Sequence, residues 1–225
     1  MPTPALLLVM CAGVVGSRVQ QERADGFLVR LPVILAAAAG PGVLRPFGLC
    51  ARGDEVEGAL LPGADPFRPI VAAALDPDGL PLRWAVVAGE GKAARARAMA
   101  ELVQLKARRE RLVVLSGDPG TDALLADLAP LLDALVGDMT ARQRDIARRI
   151  LVEGRRQAAV AAELRVSRAT VSVAVARGRV RDLERAMHGL HGLLMGGIAA
   201  RGQMERGGTP TVFYALPTSI GSVAG

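Results

Sequence analysis

The chain has 225 residues, of which 51% are hydrophobic and 3% aromatic, and it carries a formal net charge of +6 at pH 7. This length suits one larger or two small domains, and the composition argues against an intrinsically disordered chain and, with only two cysteines, against a disulfide scaffold. Two of the 28 basic residues are lysines, an arginine bias that GC-rich coding also produces, so the position of the charge is more informative than its sum.

The chain begins with an apolar run, residues 5–15, which predicts a buried central β-strand. The run is too short to span a bilayer, and no positively charged region of the kind that starts a signal peptide precedes it. We therefore expect a cytoplasmic protein with no membrane partner. In that compartment Cys11 and Cys50 are expected to be reduced core residues.

Helices and strands alternate after this run. The first helix is expected to be interrupted or restarted at Pro32 and to stop at Gly40-Pro-Gly42. A β-hairpin turns at Gly53-Asp-Glu55, and Asp65 before a proline is typical of a helix start. The predicted elements are strand 5–15, helix 17–39, strand 43–50, strand 56–61, helix 66–75, strand 82–88, helix 93–109, strand 111–115 and a helix that ends at 135.

This order, β-α-β-β-α-β-α-β-α with a central hairpin, predicts an α+β domain over residues 1–138. Its spacing is typical of a ferredoxin-like or nucleotidyl-cyclase-like sandwich. An all-α module is expected to follow it.

Three stretches of this domain resemble the SatD family of bacterial proteins. They are Val14-Val-Gly-Ser-Arg18, Gly53-Asp-Glu-Val-Glu-Gly-Ala-Leu60 and Leu82-Arg-Trp-Ala-Val-Val-Ala-Gly-Glu90. The resemblance covers about the first 100 residues, and the Gly-Asp-Glu block is its most specific part. It implies an architecture more than a reaction, since members of this family often carry a helix-turn-helix behind this domain.

The same resemblance bears on catalysis. The family pattern has one Asp after the first strand and one in Gly-Asp-Glu, and two such carboxylates can hold Mg²⁺ against the phosphates of a nucleotide. Here Gly13 stands where the first Asp would be, so we expect no metal, no cofactor and no active two-metal enzyme. Weak ligand contacts are assigned to Ser17, Arg18, Asp54 and Glu55, the alternatives being a helix cap with a surface charge and a structural turn.

The positive charge is concentrated in residues 139–187. This segment carries 12 Arg and five acidic residues, a net charge of +7, whereas residues 1–138 have a net charge of −2. A uniform coding bias would spread arginine evenly, so we interpret the segment as a basic module attached to a mildly acidic domain.

The basic segment is predicted to form a helix-turn-helix. Thr140-Ala-Arg-Gln143 is a capping box, Glu153-Gly154 ends the first helix, and Ser167 caps a third helix after a second one over residues 156–164. The pattern resembles the helix-turn-helix of sigma-factor region four and its LuxR-type relatives. One departure is Arg165, where relatives carry Gly and where φ must be positive; another is Val173, where relatives often carry a polar residue.

Double-stranded DNA is the partner that this module predicts. Arg168, Thr170 and Ser172 are expected to face the groove, because small polar groups and a guanidinium suit base edges. Arg155, Arg156 and Arg177 are expected to contact phosphates. The candidate DNA-binding residues are Arg155, Arg156, Gln157, Ser167, Arg168, Thr170, Ser172 and Arg177.

The third segment, residues 188–225, is predicted to contain an amphipathic helix and a loosely ordered tail. The apolar face begins within the module, since five apolar residues recur at helical spacing: Leu183, Met187, Leu190, Leu194 and Ile198. This helix is expected either to pack back on the N-terminal domain or to pair with a second copy. A homodimer would match a palindromic operator.

Three functions fit these features. The first is a DNA-binding transcriptional regulator whose SatD-like domain is a sensor, partner or dimerisation module. The second is a metal- and nucleotide-dependent enzyme related to cyclase-like folds, although the sequence has no P-loop, no dinucleotide fingerprint and no visible Ser–His or Cys–His pairing. The third is an adaptor whose three-helix module binds protein.

Overall fold

A mixed five-stranded β-sheet forms the N-terminal part of the protein and is followed by a helical C-terminal region. The structure, a computed structural model, describes residues 6–16, 21–50 and 53–205. The strands are β1 (Leu6–Val14), β2 (Val43–Leu49), β3 (Glu55–Leu60), β4 (Leu82–Glu90) and β5 (Leu112–Leu115). They lie in the order β2-β3-β1-β4-β5, in which β4 and β5 are parallel and all other neighbours are antiparallel.

The order of helices and strands confirms the predicted class, an α+β domain followed by an all-α region. The helices of the described residues are α1 (Gln21–Ala39), α2 (Phe67–Ala74), α3 (Gly91–Arg108), α4 (Pro119–Leu128), α5 (Pro130–Gly137), α6 (Ala141–Ala147), α7 (Gln157–Glu163), α8 (Arg168–Arg177) and α9 (Val180–Glu205), with a 3₁₀ turn at Gly40–Gly42 after α1 and a π-helical turn at Arg148–Val152 after α6.

Strand β1 lies in the middle of the sheet, between β3 and β4, as the apolar run predicts. Its side chains point alternately to two apolar layers, because successive residues of a strand face opposite sides of the sheet. Leu8 and Met10 belong to the layer that contains α1 and α2, and Val9 and Cys11 belong to the layer that contains α3. Since both faces of β1 are buried, the run needs no alternating polar residues.

Helix α1 runs without interruption through Pro32, so the expected break at this proline is wrong. A proline inside a helix costs about 3 kcal/mol, because it removes one hydrogen bond and crowds the preceding turn. Leu31 and Leu35 are buried on either side of it, and their burial outweighs this cost. By length and composition the stretch Gln21–Gly42 could also cross a membrane, although one face of α1 packs into the core.

The helix that was expected to end at residue 135 is two helices. Helix α4 ends at Leu128 and α5 begins at Pro130, with Ala129 fully buried between them. Proline lacks the N–H that would continue the ladder of α4 and is well accepted at the first position of a helix. Pro130 therefore starts a new helix instead of lying inside a longer one.

Helix α9 carries the predicted amphipathic face, on which Leu183, Met187, Leu190 and Leu194 are buried. This face contacts α4, α5 and α2, so the helix packs back on the N-terminal domain. It begins at Val180 and runs across the expected boundary after residue 187. The expected loosely ordered tail, residues 206–225, lies outside the described residues.

Candidate nucleic-acid interface

Local hydrogen bonds determine where helices α6 and α8 begin. Gln143 N–H donates to Thr140 Oγ1 at 3.3 Å, and Thr140 N–H donates to Gln143 Oε1 at 2.8 Å, which confirms the predicted capping box. Ser167 starts α8, because its Oγ accepts a hydrogen bond from the N–H of Thr170 at 3.0 Å. Both starts follow from side chains within three residues of the helix.

Helices α6, α7 and α8 share a small apolar core. Ile146 of α6, Val160 of α7 and Val171 of α8 are each fully buried. Ala161 of α7 is buried as well, as expected where a larger side chain would clash with a crossing helix. The same core continues through Val180 into α9, so packing joins the module to the rest of the protein.

Three residues in left-handed conformation lie in the turns of the module, and the third of them is Arg179, between α8 and α9, with a φ of 51°. Gly154 lies between α6 and α7 with a φ of 67°, as the sequence predicts. Arg165 lies between α7 and α8 with a φ of 52°, which confirms the positive φ expected there. A non-glycine residue in this region costs about 1 kcal/mol. Glycine at position 165 would avoid that cost.

One group of arginines in the module is held in ion pairs. Arg149 Nε lies 3.1 Å from Asp145, and its Nη1 lies 2.8 Å from Glu163 on α7. The Nε of Arg155 lies 3.9 Å from Glu153 and 3.8 Å from Glu163. Arg155 is an expected phosphate contact, and these two carboxylates partly neutralise its positive charge.

A second group of arginines makes no ion pair within the described part of the chain. Its members are exposed: Arg142, Arg156, Arg165, Arg168, Arg177 and Arg181. Arg156 occupies the N-cap position of α7 without a capping hydrogen bond from its side chain, while Arg168 and Arg177 are the first and last residues of α8. The uncompensated positive charge of the module thus lies largely at the ends of these two helices. Arg142, Arg165 and Arg181 were not among the candidate DNA-binding residues; the signal for Arg165 is an arginine where the pattern prefers glycine.

Helix α8 exposes all the polar residues that the sequence predicts to face DNA, but they do not occupy the centre of its outward face. Val171 and Val175 are buried, and successive helical residues are rotated by about 100°. The face opposite this pair therefore carries Ala169, Val173 and Ala176, all exposed, with 49% of Val173 accessible.

The polar residues of α8 that were expected to face the groove lie on the two sides of this outward face. Arg168 and Ser172 lie on one side and Thr170 on the other, with Arg177 following Thr170 one turn later. Thr170 Oγ1 lies 2.9 Å from Ser167 Oγ, so these two hydroxyls already hydrogen-bond each other. A surface cavity of about 340 Å³ brings Ser172 together with another candidate, Gln157. It is lined by Gln157, Ser172, Val175, Ala176, Arg179, Arg181, Asp182 and Arg185.

Of the weaker ligand contacts, Asp54 and Glu55 line a cleft of about 200 Å³ at the end of β1, and Ser17 and Arg18 lie outside the described residues. The cleft is lined by Gly13, Val14, Gly16, Asp54, Glu55, Arg83, Leu102 and Lys106. Two basic side chains thus accompany the two acidic ones, which is not the charge that a divalent cation prefers. Within residues 6–16, 21–50 and 53–205, no group of three or more His, Cys, Asp or Glu side chains could hold a metal ion.

Both cysteines carry free thiols, but only Cys11 lies in the core; Cys50, at the end of β2, is half-buried. Burial, reinforced by the negative charge of Glu57, raises the pKa of the Cys11 thiol to about 12. The same causes raise the pKa of Cys50 to about 11. Neither thiol is ionised at neutral pH, so neither is an activated nucleophile or a ready metal ligand.

In a comparison with known proteins, the helical module is similar to one protein family. Residues 131–187 match the family model described as TrfB plasmid transcriptional repressor, about a quarter of the chain. The match begins within α5, ends within α9 and includes all of α6, α7 and α8. Searches of curated proteins and of solved structures found no match.

Proposed function

We propose that the protein is a DNA-binding transcriptional regulator, of repressor type, that acts on double-stranded DNA in the cytoplasm. The observation that carries this proposal is the group of exposed arginines without ion pairs at the ends of α7 and α8. Lysine and arginine side chains that are not neutralised within the protein are free to replace the counterions of DNA phosphates. We assign Arg156, Arg168 and Arg177 as the main DNA contacts, because they are exposed and make no ion pair within the described residues.

The similarity of residues 131–187 to a transcriptional repressor family supports the same proposal. That range includes the capping box at Thr140 and the cap at Ser167, so the similarity and the local geometry concern the same helices. We assign Gln157 and Ser172 to the same interface, since both line one cavity beside three arginines. Arg155 is retained only as a secondary contact, because Glu153 and Glu163 lie near its guanidinium.

We also propose that residues 1–138 form a ferredoxin-like sandwich, extended by β5. Four of its strands lie in the order β2-β3-β1-β4 with antiparallel neighbours, and they are connected as β-α-β-β-α-β. The SatD-like resemblance of the first 100 residues suggests a sensor, partner or dimerisation role for this domain. The hairpin that contains Asp54 and Glu55 is where a small ligand would bind in that case.

A salt-dependent gel-shift experiment on genomic fragments tests the main proposal. Arg168→Gln and Arg156→Gln are compared with Arg108→Gln, which removes the same charge from an exposed position on α3. Loss of a phosphate contact lowers the slope of log affinity against log salt concentration by about 1, and loss of a base contact weakens binding about 5- to 150-fold. We expect such losses for the two interface variants and none for Arg108→Gln. Absence of binding by the wild-type protein at low salt would refute the proposal.

A further inference from the structure

The outward face of α8 is apolar, although the helix is the proposed reader of DNA. Ala169, Val173 and Ala176 occupy it, and Val173 is 49% exposed. The polar residues of the helix lie at its sides. The residues that would enter a groove most deeply therefore carry no hydrogen-bonding groups in their side chains.

Stability gives no reason for valine at this place. A β-branched residue on the exposed face of a helix loses side-chain freedom, and alanine, glutamine or lysine forms helix better. Val171 and Val175 already supply the buried contacts of α8, and both are almost inaccessible to solvent. An exposed apolar side chain in the middle of this face is more easily explained by an apolar group on a partner.

In the major groove, the apolar group that a base edge presents is the methyl group on C5 of thymine. Cytosine presents only a hydrogen on C5, and the hydrogen-bond donors and acceptors of the other base edges would lose water against Val173 without gaining a partner. 5-Methylcytosine carries the same methyl group on the same ring carbon. Alanine and valine side chains are of a size that can pack against it.

We propose that Val173, with Ala169 and Ala176, recognises C5-methyl groups of thymine in the major groove. This inference rests on the proposed DNA-binding function and specifies which bases that interface reads. Arg168 and Ser172 on one side of this strip, and Thr170 and Arg177 on the other, then contact neighbouring base edges and phosphates. The preferred site has thymine opposite the middle of α8.

The test starts with fragments selected in vitro from random DNA by the full-length protein. Each thymine of the selected site is replaced in turn by deoxyuridine, which removes only the C5-methyl group. We expect a three- to fivefold loss of affinity at one or two positions, about the effect of exposing one methyl group. Val173→Ala should abolish the difference between thymine and uracil at those positions. Val103→Ala removes the same atoms from an exposed residue of α3 and should leave the difference in affinity between thymine and uracil unchanged.

The possible results separate this inference from the function on which it rests. If the protein binds its selected site but no deoxyuridine substitution changes the affinity, thymine recognition is wrong and DNA binding stands. If affinity responds only when 5-methyldeoxycytidine replaces cytosine, the methyl group read is that of 5-methylcytosine and the assignment to thymine is overturned. If the wild-type protein selects no DNA at low salt, both proposals fail. Circular dichroism of Val173→Ala should match the wild type, because alanine favours helix.

Discussion

The guanidinium of Arg201, in α9, donates a hydrogen bond from Nη1 to the main-chain oxygen of Ala88 in β4, at 3.1 Å. Gly117 leaves room for this side chain, since a Cβ there would lie 2.6 Å from Arg201 Cδ. Helix α9 begins at Val180, directly after the proposed DNA-reading helix, and ends beside the sheet. The position of the module relative to the sheet is therefore held by the docking of α9.

Substitution of Gly197 should loosen that docking. A Cβ at this position would lie 2.7 Å from both Ser116 Cβ and Thr121 Cγ2, so Gly197→Ala forces α9 away from the turn before α4. We expect a loss of about 1–3 kcal/mol in the free energy of unfolding, typical of overpacking. Urea unfolding followed by the fluorescence of Trp84, the single tryptophan, measures it.

Gly192→Ala is the matched control in the same helix. Nothing lies within 4 Å of a Cβ at Gly192, so alanine should stabilise the helix by up to about 1 kcal/mol. Equal effects of the two substitutions would contradict the close contact between α9 and Ser116.

Replacement of Arg165 should separate stability from DNA binding. Its φ of 52° favours glycine, so Arg165→Gly should raise the free energy of unfolding by about 1 kcal/mol. The same change removes an exposed guanidinium, so DNA affinity should fall and the salt slope should decrease by about 1. Thermal unfolding and gel shifts at several salt concentrations measure the two effects.

Arg109→Gly is the control for that experiment. Arg109 ends α3 with a φ of 61°, so glycine relieves the same strain outside the proposed interface. Stability should rise in both variants, whereas DNA binding should fall only in Arg165→Gly. A drop in affinity of the same size in Arg109→Gly would mean that net charge alone explains the effect.

Removal of Glu163 should strengthen DNA binding. Its carboxylate pairs with Arg149 at 2.8 Å and lies 3.8 Å from Arg155, so Glu163→Gln leaves the charge of both less compensated. We expect tighter binding at low salt and a steeper dependence on salt concentration. Glu101→Gln breaks the 2.7 Å pair with Arg97 on α3 and should leave binding unchanged. Weaker binding by Glu163→Gln would show instead that the ion pairs position the interface.

The buried thiol of Cys11 should make the fold sensitive to alkali. Its pKa rises from the ordinary 9.0 to about 12, so above pH 9 the unfolded chain releases a proton that the folded chain keeps. The associated stability is fully present below pH 9 and is lost as the pH rises toward 12. At pH 10.5 the loss amounts to about 2 kcal/mol. Urea unfolding at pH 8 and pH 10.5 should show a smaller decrease for Cys11→Ala than for the wild type, and identical decreases would contradict the raised pKa.

Local signals in the sequence predicted the starts of α6 and α8 and two of the left-handed turns of the helical module. The capping box at Thr140, the cap at Ser167 and the left-handed turns at Gly154 and Arg165 were all predicted correctly. Each depends on residues within about four positions, where backbone geometry leaves few alternatives. The order of strands and helices was predictable for the same reason, since the periodicity of apolar residues is local.

Two helix boundaries were predicted wrongly, both at prolines whose effect depends on how the neighbouring residues pack. Pro32 lies inside α1 because the buried leucines around it outweigh the lost hydrogen bond. Pro130 does the opposite and starts a new helix. Proline has the same intrinsic preference at both places, so only the surrounding core distinguishes the outcomes.

By itself, the sequence determined the class of the fold, the caps and turns of the module and the concentration of +7 in residues 139–187. The tertiary structure decided which of those arginines remain without ion pairs, because Arg149 meets Glu163 across two helices. It also decided that α9 docks on the sheet domain, where the sequence left pairing with a second copy as an alternative. The reason is physical: hydrogen bonds at a helix end form between near neighbours, whereas ion pairs and buried faces depend on residues that only folding brings together.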